Sequence, residues 1–165
     1  MREAILIPKE RIAVLIGKGG SSRRKIEKLT KVKLWIDTDT NEVTVNASDS
    51  EAIFLAKQVV SLVGRGFSPD SACKVLDDRY IADIVDVRDF GAAQRKDRTR
   101  LLGRIIGSEG KTKRKIEIET NTEIVIYGKT VGIIGKPEDV MKAKQAVEAV
   151  LSGSEQATAY RLLRD

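Results

Sequence analysis

"LIGKGGSSRRKIEKL", residues 15 to 29, gathers Gly17, Gly19 and Gly20 around Lys18 and follows them at once with Arg23, Arg24 and Lys25. A bare-backboned bend that opens a cationic helix suits an anion. The helix N-terminus presents unpaired N–H groups and the positive end of a dipole, and glycine lets a phosphate come close to the backbone. The pattern occurs twice: "IGKGGSSRRKIEKLT" at 16 to 30 aligns without a gap with "IGSEGKTKRKIEIET" at 106 to 120, an offset of 90. Further on, "AKQVV" at 56 to 60 matches "AKQAV" at 143 to 147 with an offset of 87, so the second copy has lost three residues in an intervening loop.

Both copies read as the same order of elements. Each begins with an alternating apolar strand, "REAILIP" or "IADIVDV", then a short helix, "KERIAVLI" or "RTRLLGRII", that ends at the bend. A second helix starts from the bend, with Ser21 and Ser22, or Thr112, available as N-terminal caps. Then come "VKLWI" and "EVTV", or "TEIVI" and "TVGII", each pair a hairpin around "DTDTN" or "YGK". A long amphipathic helix closes each copy. Its start is marked by a capping box of Ser48 with Glu51 in the first and by Pro137 at the first helical position in the second. Short helices, "SPDSACKVL" and "SEQATAYRLL", follow. The expected domains are therefore 1–77 and 78–165, with the acidic stretch 76 to 90 running as a linker into the first strand of the second copy.

Composition narrows the chemistry. The net charge of +6 favours a polyanionic partner, and it is localised: residues 95 to 115 hold nine Lys or Arg against two acids. With no histidine and Cys73 as the sole cysteine, histidine bases, catalytic triads, most zinc sites and an internal disulfide are excluded. No cofactor and no metal is expected. The carboxylate pairs Asp37 with Asp39 and Asp77 with Asp78 fall in a hairpin turn and a linker, where solvated acids are the ordinary reading. The apolar run near the N-terminus is too short for a signal peptide or a membrane span, so no membrane partner is expected and the location expected is the cytoplasm. A charged fraction of 33%, rich in Lys and Glu, is the kind found in thermophilic proteins.

Three readings of the bends compete. A phosphate loop needs GxxxxGK before Ser or Thr; "GKT" occurs at 110 to 112 and 128 to 130, but the earlier glycine positions hold Ile105 and Glu123. A dinucleotide fingerprint fails as well, since here the bend joins helix to helix. A merely structural corner is the second reading, and its repetition argues against it. The third is a nucleic-acid clamp, and here the chain resembles the KH domain family: "LIGKGGSSRRKI" and "IIGSEGKTKRKI" are similar to its IGxxG loop with an isoleucine six residues after the second glycine.

That resemblance implies an α+β fold of two tandem type I, eukaryotic-type KH domains, each a three-stranded antiparallel sheet covered on one face by helices. It implies single-stranded RNA as partner, with the loop gripping the backbone of about four nucleotides while the bases lie in an apolar groove. The aromatic content of 4%, with none in either bend, fits a clamp better than the stacking platforms of RRM or OB folds. In the first copy the resemblance assigns Ile16, Gly17, Lys18, Gly19 and Gly20 to RNA, with Lys18 on a phosphate. Helical spacing adds Arg23 and Arg24, with Ile26 and Leu29 facing inward and Lys28 equally a solvated charge. The second copy assigns Gly107, Ser108, Glu109 and Gly110, followed by Lys111, Lys113 and Arg114. Glu109 departs from the basic residue common there: Lys111, Lys113, Arg114 and Lys115 offset its repulsion, or it selects a base edge, or it weakens the site.

Trp35 alternates with Val32, Leu34 and Ile36 and so belongs on the face of the sheet away from the helices, as does Val125 in the second copy. Apolar residues there point to contact with the other domain or with a partner protein. Two KH units with "DIVDVRDF" between them and "GRIIGSEGKTKRKIE" opening the second bend resemble the archaeal branch of a family of ribosome assembly factors that partner the Nob endonuclease. The resemblance implies a non-enzymatic protein that binds precursor small-subunit rRNA near its 3′ end, with a ribosome-assembly endonuclease as a possible partner. The alternative keeps the fold and makes the chain an RNA-recruiting subunit of a degradation or translation complex.

Overall fold

The structure, a computed structural model, describes residues 1–164. The chain divides into two compact units, Met1–Asp77 and the remainder from Asp78. In the first, strand β1 (Arg2–Leu6) leads to α1 (Lys9–Ile16), the bend, α2 (Ser21–Thr30), the hairpin β2 (Lys33–Asp37) and β3 (Glu42–Asn46), then α3 (Ser50–Gly64) and the short α4 (Pro69–Ala72). The second repeats this with β4 (Ile81–Asp86), α5 (Arg95–Ile106), α6 (Lys111–Thr120), β5 (Glu123–Tyr127), β6 (Thr130–Gly135), α7 (Pro137–Leu151) and α8 (Gln156–Arg164). Each sheet is antiparallel, with the last strand of the unit in the middle: β1-β3-β2 and β4-β6-β5. None of the described helices is long and apolar enough to cross a membrane.

Alternation along the strands and a three-to-four spacing along the helices build each core. In the first unit Leu34, Val43 and Val45 are fully buried, as are Leu15, Ile26, Val59, Val60 and Val63 from the helices. In the second, Ile124, Val131 and Ile133 pack with Ile105, Ile116, Val140, Ala143 and Val147 in one apolar cluster. Trp35 keeps 60% of its surface exposed while its neighbour Leu34 has none, as the period of two requires.

Several local expectations are corrected. Leu29 does not face inward; it is 52% exposed, and the buried face of α2 runs through Ile26 and Thr30. From Ile26, Thr30 lies about 40° around the helix and Leu29 about 60° to the other side, towards solvent. Thr30 is tolerated in the core because its hydroxyl donates to the Ile26 carbonyl at 2.6 Å; Thr120 does the same to Ile116 at 2.6 Å. The serines and Thr112 do not cap α2 and α6: the cap positions are Gly20 and Gly110, neither helix has a side-chain cap, and Ser21 already has helical dihedrals. The start of α3 is capped one residue later than the Ser48 reading placed it, by the Asp49 carboxylate, which accepts from the Glu51 N–H at 3.1 Å. The acidic linker also contains more structure than expected, a single 3₁₀ turn over Val87–Phe90.

One polar contact fastens helix to sheet in both units. The Glu27 carboxylate accepts from the Leu34 N–H at 2.9 Å, and the Glu117 carboxylate from the Ile124 N–H at 2.9 Å. Each satisfies a half-buried amide of an edge strand and holds β2 or β5 against the helix that leaves the bend. Truncating such an acceptor leaves the amide unpaired and costs about 1–3 kcal/mol. Glu117→Ala is therefore expected to lower the stability read from urea unfolding by that amount, whereas Glu119→Ala, whose side chain is exposed, should change it by no more than about 0.5 kcal/mol.

Candidate nucleic-acid interface

The two bends are congruent residue by residue. Gly17 has φ 75° and ψ 174° where Gly107 has φ 75° and ψ 177°. Gly19 has φ 61° and ψ 22° where Glu109 has φ 55° and ψ 27°, and Gly20 and Gly110 are both left-handed. The first glycine is required on two counts. Its positive φ disfavours any side chain, and a Cβ on Gly17 would lie 2.3 Å from the Ser22 Oγ; on Gly107 it would lie 2.3 Å from the Thr112 Oγ1. Helices α2 and α6 therefore begin in contact with the end of the preceding helix. The third position is sterically open, with nothing within 4 Å of a Cβ on Gly19.

Hydrogen bonding selects which amides stay free. The Gly17 N–H is taken by the Ala13 carbonyl and the Gly20 N–H by the Gly17 carbonyl, at 2.9 and 3.2 Å; Gly107 and Gly110 repeat this with Gly103 and Gly107. The Ser21 and Lys111 N–H groups turn back to the Lys18 and Ser108 carbonyls. Among the described residues nothing accepts from the N–H of Lys18, Gly19, Ser108 or Glu109. Each corner thus exposes two adjacent backbone donors beside the start of a helix, an arrangement that accepts an anion such as a phosphate oxygen.

The structure distributes the other expected residues between several roles. Lys18 and Ser108 are exposed at the tip, and Ile16 and Ile106 stand at the helix ends beside it, Ile106 with 39% of its surface open. Arg24 is exposed but engaged: its guanidinium donates to the Gly19 carbonyl at 2.7 Å, and Arg114 donates to the Glu109 carbonyl at 2.7 Å. Both arginines brace the bend while leaving most of their donors outward. Lys113 bonds Glu117 at 2.9 Å and so serves first the carboxylate that holds the edge strand, whereas Arg23 only approaches Glu27, at 3.8 Å, and among the described residues nothing accepts from its buried Nε. Lys25 is tied to Asp70, and Lys115 lies 5.0 Å from the Tyr160 ring centre. Lys28 and Lys111 are exposed. The brace by Arg24 and Arg114 was missed in the sequence; its signal was an arginine at the same offset after the loop in both copies.

A β-α-bend-α-β-β-α unit with the third strand central, occurring twice, defines a tandem KH-domain protein of the eukaryotic type. A model of the eukaryotic-type KH domain (KH-domain type I), that of the second domain of PNO1, matches residues 81–165, and a general KH domain model matches 2–61. A KH domain-containing protein of Methanocaldococcus jannaschii is 42% identical over 98% of this chain and 72% of its own length. The pre-rRNA-processing protein PNO1 of Chaetomium thermophilum is 35% identical over 70% of this chain and 45% of its own. A crystal structure of an a/eIF2alpha–aDim2p–rRNA complex from Pyrococcus horikoshii superposes with a TM-score of 0.86 at 40% identity, covering 99% of this chain and 92% of that one. The chain belongs to the PNO1/Dim2 family of KH-domain proteins.

The steric argument at the corner is open to test. Gly17→Ala combines a disfavoured dihedral with a collision and is expected to cost about 2 kcal/mol or more in urea unfolding. Gly19→Asn, at a left-handed position with room, should cost less than about 1 kcal/mol. Equal effects would show that contact with Ser22 does not set the bend.

Proposed function

We propose that this chain binds single-stranded RNA through both GxxG corners and that its target is precursor small-subunit rRNA near the 3′ end. The observation that carries the reading is the pair of free, adjacent amides at each corner, Lys18 with Gly19 and Ser108 with Glu109, set at the head of a helix. Backbone donors in that arrangement hold a phosphate whatever base it bears, and the apolar flank at Ile16 or Ile106 is where the bases lie. Lys18, Arg24, Lys111 and Arg114 add charge at the rim, with Arg23 beside them, while Lys113 contributes through the carboxylate it bonds. Domain boundaries at 77 and 78 give each corner its own supporting core. The names of the relatives support the target: one is a pre-rRNA-processing protein and another was crystallised with rRNA. On this reading the chain is a binder and not a catalyst, acts in the cytoplasm, and presents the RNA to the endonuclease that trims it.

Lys18→Asp combined with Gly19→Asp tests the first corner without unfolding it, because the tip is exposed and the equivalent of Gly19 already carries an acid in the second unit. Carboxylates there would face phosphate across a few ångströms. Binding of a randomised single-stranded RNA should fall at least about tenfold, and the slope of log K against log salt should shrink by about 0.7 for each phosphate no longer held. Unchanged affinity and slope would overturn the assignment.

A further inference from the structure

The cationic stretch 95 to 115 is only partly accounted for by the second corner. Within it Arg104 donates to the Ser154 carbonyl at 2.7 Å, Lys113 is held by Glu117 and Arg100 lies 3.8 Å from Asp97. Arg95, Lys96 and Arg98 remain, all in the first turn of α5. That placement is unfavourable for the helix itself, whose N-terminal end carries the positive pole and prefers acids. Something other than helix stability accounts for two arginines and a lysine there.

Two further elements bring cations to the same place. Arg88 comes from the 3₁₀ turn after β4, and Lys129 from the turn between β5 and β6. With Arg95, Arg98 and Thr99 they wall an open cavity of about 390 Å³ whose lining includes no carboxylate. The Asp86 carboxylate, outside the lining, accepts three hydrogen bonds from the Arg88 side chain, at 2.7, 3.1 and 3.2 Å, so the guanidinium is fixed in orientation rather than removed from the site. That clasp draws the pKa of the Asp86 carboxyl down to about 2. Arg98 is likewise steadied by donating to the Ala93 carbonyl at 3.0 Å. Asp86 offsets the charge of Arg88 and, at longer range, part of that of Lys129, so Arg95 and Arg98 are the lining cations whose charge a further anion would balance, and arginines held in place suit the forked geometry of phosphate.

The first unit makes the contrast. Its α1 has 8 residues where α5 has 12, so it lacks the turn that bears Arg95 and Arg98. Its hairpin turn, where Lys129 stands in the second unit, carries Asp37 and Asp39, with Asp37 closing the turn on the Asp39 N–H at 2.9 Å. The sign of the charge is thus reversed at equivalent places, and reversed again at the corners, where the first has Lys18 and Gly19 and the second Ser108 and Glu109.

We propose that the cavity walled by Arg88, Arg95, Arg98 and Lys129 is a second phosphate site of the second KH unit, taking a backbone phosphate of the same RNA strand whose other nucleotides lie at the Gly107–Gly110 corner. Thr99 is eight residues along α5 from Gly107, about 12 Å at about 1.5 Å per residue, so one strand lying along this helix reaches both. The site supplies the attraction that Glu109 withholds at the corner. This inference rests on the RNA-binding reading above, and the test separates the two.

The probe is a randomised single-stranded RNA 16-mer bound to the full chain, with affinity and salt slope measured for three variants. Arg95→Glu with Arg98→Glu, and separately Lys129→Glu on a different element, are expected to weaken binding roughly tenfold or more, the first with a slope smaller by about 0.7 for the one phosphate no longer held. The third variant, Ser108→Asp with Lys111→Asp, reports on the corner. Weakening in that variant alone would overturn the cavity site and leave the reading of the corner intact; weakening in the cavity variants alone would keep the cavity and overturn the corner; no weakening in any variant, or no binding by the unaltered chain, would overturn both. Unchanged circular dichroism in the charge variants excludes misfolding as the cause. Inorganic phosphate at millimolar concentration, displacing no RNA from the cavity as read by NMR shifts of Arg95 and Arg98, is the expected control; complete displacement would identify a free-anion site instead and overturn the proposal.

Discussion

The contact between the first glycine of each corner and the residue five positions on sets everything that follows. Because no Cβ intervenes, Ser22 and Thr112 press against Gly17 and Gly107, and the second helix departs immediately from the end of the first. A looser connection would have let the intervening amides turn inward or bond to one another. In the tight corner, the Gly17 and Gly20 amides and their counterparts are used to make the turn, and the two between them have nowhere to bond but outward. The pair of free amides is a by-product of closing a helix–helix angle in four residues, and the glutamate inside each second helix then ties the helix that leaves the corner to the sheet.

Most of this architecture was legible in the sequence because it is written twice. A period that recurs at 90 residues makes each element an independent check on its copy. Leu29 shows what happens when the check is not applied: its apolar identity suggests the core, yet the equivalent residue is Glu119, and a position that accepts a carboxylate faces water. Ser21, Ser22 and Thr112 misled for a different reason. Cap preferences assume a helix preceded by extended chain, whereas these helices are entered from a 3₁₀ turn whose own carbonyls already satisfy the first amides. The roles of Arg24 and Arg114 as braces, and of Lys113 as partner of a strand-holding glutamate, depend on which way long side chains fold back, and residue type alone does not encode that.

The two units solve one electrostatic problem in opposite ways. Positive charge close to the free amides attracts an anion but opposes the helix pole beside it, and both units carry that cost: Arg23 and Arg24 open α2, and Lys111, Lys113 and Arg114 open α6. The first unit has a lysine at the tip and acids on its hairpin turn; the second has an acid at the tip and adds arginines at the far, N-terminal end of α5, where they oppose a helix pole as well. Either distribution leaves one basic end along the first helix of the unit.

Glu109 is compatible with the corner because of where its backbone groups go. At φ 55° its side chain projects where a Cβ on Gly19 would meet nothing, while its carbonyl is held by Arg114 as that of Gly19 is by Arg24. The atoms that shape the turn are therefore main-chain atoms and one bracing guanidinium, and the side chain at the third position is free of structural duty. A phosphate gripped by amides carries no base identity. Variation at that third position can accordingly change the charge beside the free amides without disturbing the geometry of the turn.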